Sequence, residues 1–195
     1  MTETRSYPRR VLTDAGEIEI RLMQRPDEPS VLDFAKKLPA HDLLFLPRNI
    51  SEPKVLSAWI NEIERGAITS LLAVKNNSVI GCGTLVRDPH SWSPHAGEIR
   101  MVVSLDVRGR GVGRALLQET FIIALSAGLE KLSVQMTVDQ KSAIALFESL
   151  GFKAEALLRD HVQGIDGSKH DIVVLGHHVA LVQAQMEAYG LVETF

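Results

Sequence analysis

The segment Arg108-Gly109-Arg110-Gly111-Val112-Gly113-Arg114 sets three glycines among three arginines. It lies where the apolar run Met101-Val102-Val103 stops and a helical pattern opens at Ala115-Leu116-Leu117. Glycine leaves the backbone N–H groups uncovered, so an anion can approach them closely. The same groups fall at a helix N-terminus, where the dipole favours negative charge. The chemistry this predicts is the binding of a phosphate or diphosphate. Two familiar glycine loops fail on spacing. A dinucleotide fingerprint starting at Gly109 needs a small residue at 114, which is Arg, and one starting at Gly111 needs it at 116, which is Leu. A P-loop needs Lys and then Ser or Thr after the last glycine, and Arg114-Ala115 is neither. Other reactive residue types are sparse. Cys82, the only cysteine, stands between Gly81 and Gly83 on an apolar run and reads as a small buried residue. His177-His178 and His90…His95 lack the i, i+4 spacing of a helical metal pair, so no metal is expected. His170-Asp171 opens a late strand and is read first as structural, with contact to a substrate as the alternative.

The elements that must position this loop follow from periodicity. Residues 1 to 16 read as a loose N-terminal arm. Glu17 to Leu22 alternates charged and apolar residues, the pattern of a first strand. Two helices are expected from Pro26-Asp27-Glu28 through Lys37 and from about Pro53 to Arg65. Ser70 to Lys75 and Val79 to Val86 are strands joined by Asn76-Asn77, a pair suited to positive φ in a type I′ turn. Asp88 to Pro94 is a loop, and about Glu98 to Leu105 a fourth strand leading into the glycine segment. The helix after it should end at Gly128. Leu132 to Val138 is a fifth strand, and Lys141 to Leu150 a helix closed by Gly151. About Lys153 to Val162 and His170 to Leu175 are the last two strands, with Asp166-Gly167 between them. A final helix over 179 to 189 presents Val182, Met186 and Tyr189 on one face. This is an α+β chain with a central mixed seven-stranded sheet: an arm at 1–16, one domain at 17–178, and a C-terminal helix and tail at 179–195.

The loop fits R/Q-x-x-G-x-G/A, and here the chain resembles the GNAT superfamily of acyl-CoA-dependent N-acyltransferases. Ala143-Ile144-Ala145-Leu146-Phe147-Glu148-Ser149-Leu150-Gly151-Phe152 resembles that family's A-I-x-x-Y-E-x-x-G-F segment at the matching separation, and the order of elements agrees from about residue 17 to 177. The resemblance implies a fold whose fourth and fifth strands splay apart around the pantetheine arm of acetyl-CoA. It implies that Met101, Val102 and Val103 pair with that arm, and that Arg108, Gly109, Arg110, Gly111, Val112, Gly113 and Arg114 hold the pyrophosphate. Gln140, where the family usually has Asn, and Phe147 would line the other side. A backbone N–H near Met101 or Val102 would be the oxyanion donor.

The implied reaction is direct attack of an amine on acetyl-CoA. A lysine-like amine with pKa ~10.4 is neutral in about one molecule in 2,500 at pH 7, a penalty of roughly 4.6 kcal/mol, so a base matters. Glu98 matches the position where many members keep a glutamate base, acting through a water; the competing reading is an ion pair with Arg100. Phe147 departs from the family's tyrosine, the acid that protonates the departing thiolate. Water, Ser142 and Cys82 stay open as replacements, and a CoA-binding sensor with weak catalysis is the reading from another class.

Composition bounds the partners. The chain has 195 residues, 45% hydrophobic and 23% charged, and a net charge of −3, which argues against a broad nucleic-acid-binding face. No apolar run approaches the ~20 residues of a membrane helix, and with a single cysteine a reducing, cytoplasmic setting is expected. The acceptor is expected to be a small or amino-acid-like amine, held by the first two helices and the Asp88 to Pro94 loop. A protein lysine or N-terminus is the alternative, and a homodimer through the last helix is possible.

Overall fold

The computed structural model of the chain describes residues 6–179. Its centre is a sheet of eight strands: β1 (Arg9–Thr13), β2 (Gly16–Leu22), β3 (Ile68–Lys75), β4 (Ser78–Arg87), β5 (Ala96–Val103), β6 (Lys131–Thr137), β7 (Lys153–Gln163) and β8 (Lys169–His178). They lie in the order β1-β2-β3-β4-β5-β6-β8-β7. All neighbours run antiparallel except β5 and β6, which are parallel. A parallel pair needs a crossover, and α3 (Val112–Ser126) supplies it. The sheet is therefore mixed, as expected, with one strand more than the sequence suggested.

The added strand corrects the reading of residues 1–16 as a loose arm. Arg9–Thr13 pairs with β2 from Arg9↔Ile20 to Thr13↔Gly16. Further anchors are Tyr7, whose hydroxyl lies 3.0 Å from the Glu119 carboxylate in the middle of α3, and Arg9, 3.6 Å from the same group.

Helices α1 (Glu28–Lys36) and α2 (Pro53–Glu64) cover one face of the sheet, and α3 and α4 (Lys141–Ser149) the other. On the first face Val31, Phe34, Leu56 and Ile60 pack with Leu72, Cys82, Val102 and Ile172. On the second, Leu116 and Leu117 of α3 and Phe147 of α4 close over Leu71, Ile99, Val134 and Leu175. The helix α3 sits close to β4 because Gly81 and Gly83 face it. A Cβ at Gly83 would come within 2.9 Å of Thr120 Oγ1, and one at Gly81 within 2.9 Å of Leu116 Cδ1. Asn76 and Asn77 take φ of 50° and 61°, the left-handed pair a type I′ hairpin requires. The helix expected over 179 to 189, with Val182, Met186 and Tyr189, lies outside the described residues apart from Val179.

Candidate active site

The pairing of β5 with β6 runs only from Ala96↔Lys131 to Ile99↔Val134, after which the strands part. Carrying that register three residues on sets Val102 of β5 level with Thr137 of β6, across an open gap. The main-chain groups of Arg100 to Val103 that face the gap have no strand partner there, although the Val103 carbonyl accepts from the Arg108 side chain. They form a short length of sheet edge inside the molecule, able to pair with an extended ligand as an added strand would. Gly113, at the start of α3, marks where the walls converge. A Cβ placed on it would lie 3.5 Å from Leu146 of α4, 3.6 Å from Val103 and 3.8 Å from Met101.

Past β5 the buried Val107 anchors a short 3₁₀ turn, Leu105–Val107, and the glycine segment follows. Gly109 and Gly111 take φ of +70° and +83°, conformations that side chains resist. Gly111 caps α3, and its carbonyl accepts from Ala115 N at 3.0 Å, the first bond of the helix. The amides of Gly111, Val112, Gly113 and Arg114 therefore have no acceptor within the helix, and no side chain caps them. Behind the loop, Ala15 N donates to the Arg110 carbonyl at 3.3 Å, so the β1–β2 turn backs the segment. The three arginines part company. Arg108 donates to the Val103 carbonyl at 3.1 and 3.2 Å and to Asp42 at 2.8 Å. Arg114 reaches Ser149 of α4 at 3.3 Å, while Arg110 is exposed. Gln140 is half-buried as the cap of α4. Phe147 is buried, edge-on to Phe152 with ring centres 5.1 Å apart.

Alternation along β5 turns Glu98, Arg100 and Val102 to the α1/α2 face. Arg100 grips Glu98 with two bonds of 2.8 and 3.0 Å, each side chain about a quarter exposed. The carboxylate is thus ion-paired. Beside the pair lies a cavity of about 320 Å³ with Arg100 and Val102 on its floor. Trp59 and Val55 of α2 form one wall, and Leu46 to Arg48 with Ile50 another; the Asp88 to Pro94 loop contributes none of the lining. Cys82 and Thr84 complete the floor, opposite Val102 and Arg100 in register. Burial pushes the Cys82 thiol up to about 12, against a weak opposing bond from Thr84, which makes it inert as a nucleophile.

A second polar cluster escaped sequence reasoning. His41, on the 3₁₀ turn Ala40–Leu43 between α1 and α2, places Nε2 at 2.7 Å from Asp139 Oδ2 and 3.5 Å from Thr137 Oγ1. Its ring meets that of His170 edge-on at 4.8 Å. Partial burial works to raise the Asp139 carboxyl, but the bonds from Thr137 and His41 outweigh it and hold the group below the ordinary range. The neighbouring Asp42 holds Arg108, so one turn ties both lips of the gap: Val103 through Asp42 and Arg108, Thr137 through His41. His41 and Asp139 are 98 residues apart, and only the placing of His170 near the acceptor side hinted at this neighbourhood. Among the described residues no group of three or more His, Cys, Asp or Glu is arranged to hold a metal, and no helix is long and apolar enough to cross a membrane.

Residues 37–152 match the model of the acetyltransferase (GNAT) family. The chain is 24% identical over 127 residues to N-alpha-acetyltransferase 30 of Schizosaccharomyces pombe, covering 64% of this chain and 85% of that one. It is 36% identical over 86 residues to an IAA acetyltransferase of Azospirillum brasilense, 44% of this chain and about half (54%) of that one. Its fold is that of a Salmonella typhimurium putative acetyltransferase solved with its cofactor acetyl-CoA, with a TM-score of 0.70, 18% identity, and coverage of 83% of this chain and 94% of that one. With more than half of its length matched and the splayed sheet in place, the chain belongs to the GNAT family of acyl-CoA-dependent N-acetyltransferases.

Proposed function

We propose that the protein moves the acetyl group of acetyl-CoA to the primary amine of a small, amino-acid-like acceptor by direct attack. The observation that carries the choice of acceptor is the cavity of about 320 Å³ between α2 and the floor of β4 and β5, a volume that suits a small molecule. Its lining is largely apolar, with Arg100 within and the exposed Arg48 among the lining residues as a charge for a carboxylate.

Acetyl-CoA supplies an activated thioester; the rest is the work of this chain. The uncapped amides of Gly111 to Arg114, with Gly109 and the exposed guanidinium of Arg110, suit a diphosphate. Arg108, engaged by Val103 and Asp42, would serve by fixing the end of β5. The open edge at Met101, Val102 and Val103 suits the pantetheine amides, with Gln140 across from it. The N–H of Met101, turned to the gap while that of Val102 is turned to β4, would receive the developing oxyanion. Glu98 would take the ammonium proton through a water, its orientation fixed by Arg100. Phe147, packed on Phe152, would support this wall from within the core. We assign these roles to one domain extending from β1 to β8, in a cytoplasmic protein; sedimentation against the 21.5 kDa of one chain tests the expected homodimer.

Transfer to a protein N-terminus is the second reading. It is favoured by a groove of about 560 Å³ between the α1–α2 connection and the β7–β8 hairpin, which meets the first cavity at Leu46, Pro47 and Arg48. The deciding experiment incubates the protein and acetyl-CoA with amino acids, polyamines and short peptides and follows free thiol. The small amines are expected to release thiol at the higher kcat/KM. Faster release with peptides selects the second reading. Binding of CoA with no release on any amine makes the protein a sensor.

A further inference from the structure

The reaction needs a proton on the departing sulfur, and Phe147 has none to give. Among the described residues the one tyrosine, Tyr7, is engaged by Glu119 on α3. On the opposite lip of the gap, however, stands an imidazole in the setting of a proton donor. Resting on the acetyl-transfer reading above, we infer that His41, held by Asp139, is the acid that protonates the CoA thiolate.

Three observations carry this. The first is place. Thr137, 3.5 Å from His41 Nε2, is level with Val102 across the splay, and alternation on β6 turns it to the same face as Glu98 and Arg100. The turn that bears His41 is bound to both lips, so whatever occupies the gap at this level lies beneath residues 41 and 42. The second is orientation. Nε2 is engaged at 2.7 Å by Asp139, leaving Nδ1 without a hydrogen bond among the described residues. The third is charge. The Asp139 carboxylate at 2.7 Å gives the ring an anionic partner on the side away from Nδ1. The other titratable groups around the ring are His170 on β8, Asp166 behind it through Ser168, and Asp42 with Arg108 on the same turn and loop.

The step balances. The amine nitrogen forms the C–N bond while the C–S bond breaks, and the electron pair of that bond leaves on sulfur. The imidazolium gives its Nδ1 proton to the sulfur, making the thiol. Of the two protons the ammonium substrate loses, one replaces that of His41 through solvent and the other leaves by way of Glu98.

The test compares His41→Gln, His41→Ala and Asp139→Asn with the parent protein. With His41→Gln, kcat should fall about 100-fold while KM for acetyl-CoA stays within about twofold, and the alkaline limb of the kcat profile should vanish. Imidazole added to the buffer should restore part of the activity of His41→Ala, which a merely structural role would not produce. Asp139→Asn should lower kcat by a smaller factor than His41→Gln, with KM for acetyl-CoA again unchanged. Independently of turnover, the His41 Cε1 resonance in NMR should shift when CoA is added. A retained alkaline limb in His41→Gln, no rescue by imidazole, or a resonance unmoved at saturating CoA each overturns the inference. Because the resonance needs CoA alone, its failure is distinguishable from a parent protein that acetylates no amine.

Discussion

In the proposed reading, main-chain amides meet the co-substrate on the α3 side of the splay, and side chains meet the acceptor on the α2 side. The proposed diphosphate cradle consists of the uncapped N–H groups from Gly111 to Arg114, and two of the three arginines beside it are spent on Val103, Asp42 and Ser149. The proposed acceptor side consists of an Arg100–Glu98 pair, a mostly apolar cavity and the His41–Asp139 contact, drawn from several separate elements. A site made of amides depends on backbone conformation and is indifferent to most side chains. A site made of side chains depends on each of them and can be retuned one at a time. The first suits a co-substrate that never changes, the second an acceptor that differs between relatives.

The contrast is broken most sharply at Gly111. Valine there has to adopt φ of +83° with its Cβ 3.5 Å from that of Thr13, and the strain displaces the amides that follow. Losing two charge-assisted bonds of about 2 kcal/mol each weakens CoA binding several-hundred-fold, which calorimetry reads directly. Replacing Arg110 by Ala in parallel should cost much less; equal losses would mean that side-chain charge, not the amides, holds the anion. On the other side, Glu98→Gln should lower kcat about 100-fold and leave CoA affinity unchanged. A change in affinity with kcat intact would move Glu98 from proton transfer to support of β5.

The same division explains what the sequence made legible. The glycine loop, the Asn76-Asn77 turn and the stripe of α4 are local patterns, each dictated by a few consecutive residues, and they appear where expected. The strand β1 was hidden because Arg9-Arg10-Val11-Leu12-Thr13 is an edge strand with little to bury; Leu12 is 84% exposed. What holds it is Glu119, more than a hundred residues away. The pairing of Glu98 with Arg100 was readable from strand alternation as the competing reading of that carboxylate. The His41 cluster was not, since its members come from the α1–α2 turn, the end of β6 and the start of β8. No spacing rule joins residues that only the sheet order brings together.

His177 offers the mildest probe, and it tests the support beneath the cofactor wall. The ring lies on β8 against Phe121 and Phe152, both at 5.0 Å, and a Cβ on Gly151 would sit 3.2 Å from its Nε2. Its Nδ1 is buried with no hydrogen-bond partner among the described residues. Burial, reinforced by the neighbouring His178, lowers its pKa from the ordinary 6.5, so the fold prefers the neutral ring. The unfolded chain therefore binds the proton more readily than the folded one. This group's contribution is fully present above pH 6.5, begins to fall as pH drops through that value, and is lost once the lower folded value is passed. The Tm of the parent protein should accordingly decline from pH 7.5 to 5.5. His177→Leu removes both the titration and the orphaned nitrogen, so its decline should be shallower while Tm at pH 7.5 is kept or raised. An unchanged slope would mean that the wall beneath Phe152 tolerates a charged ring.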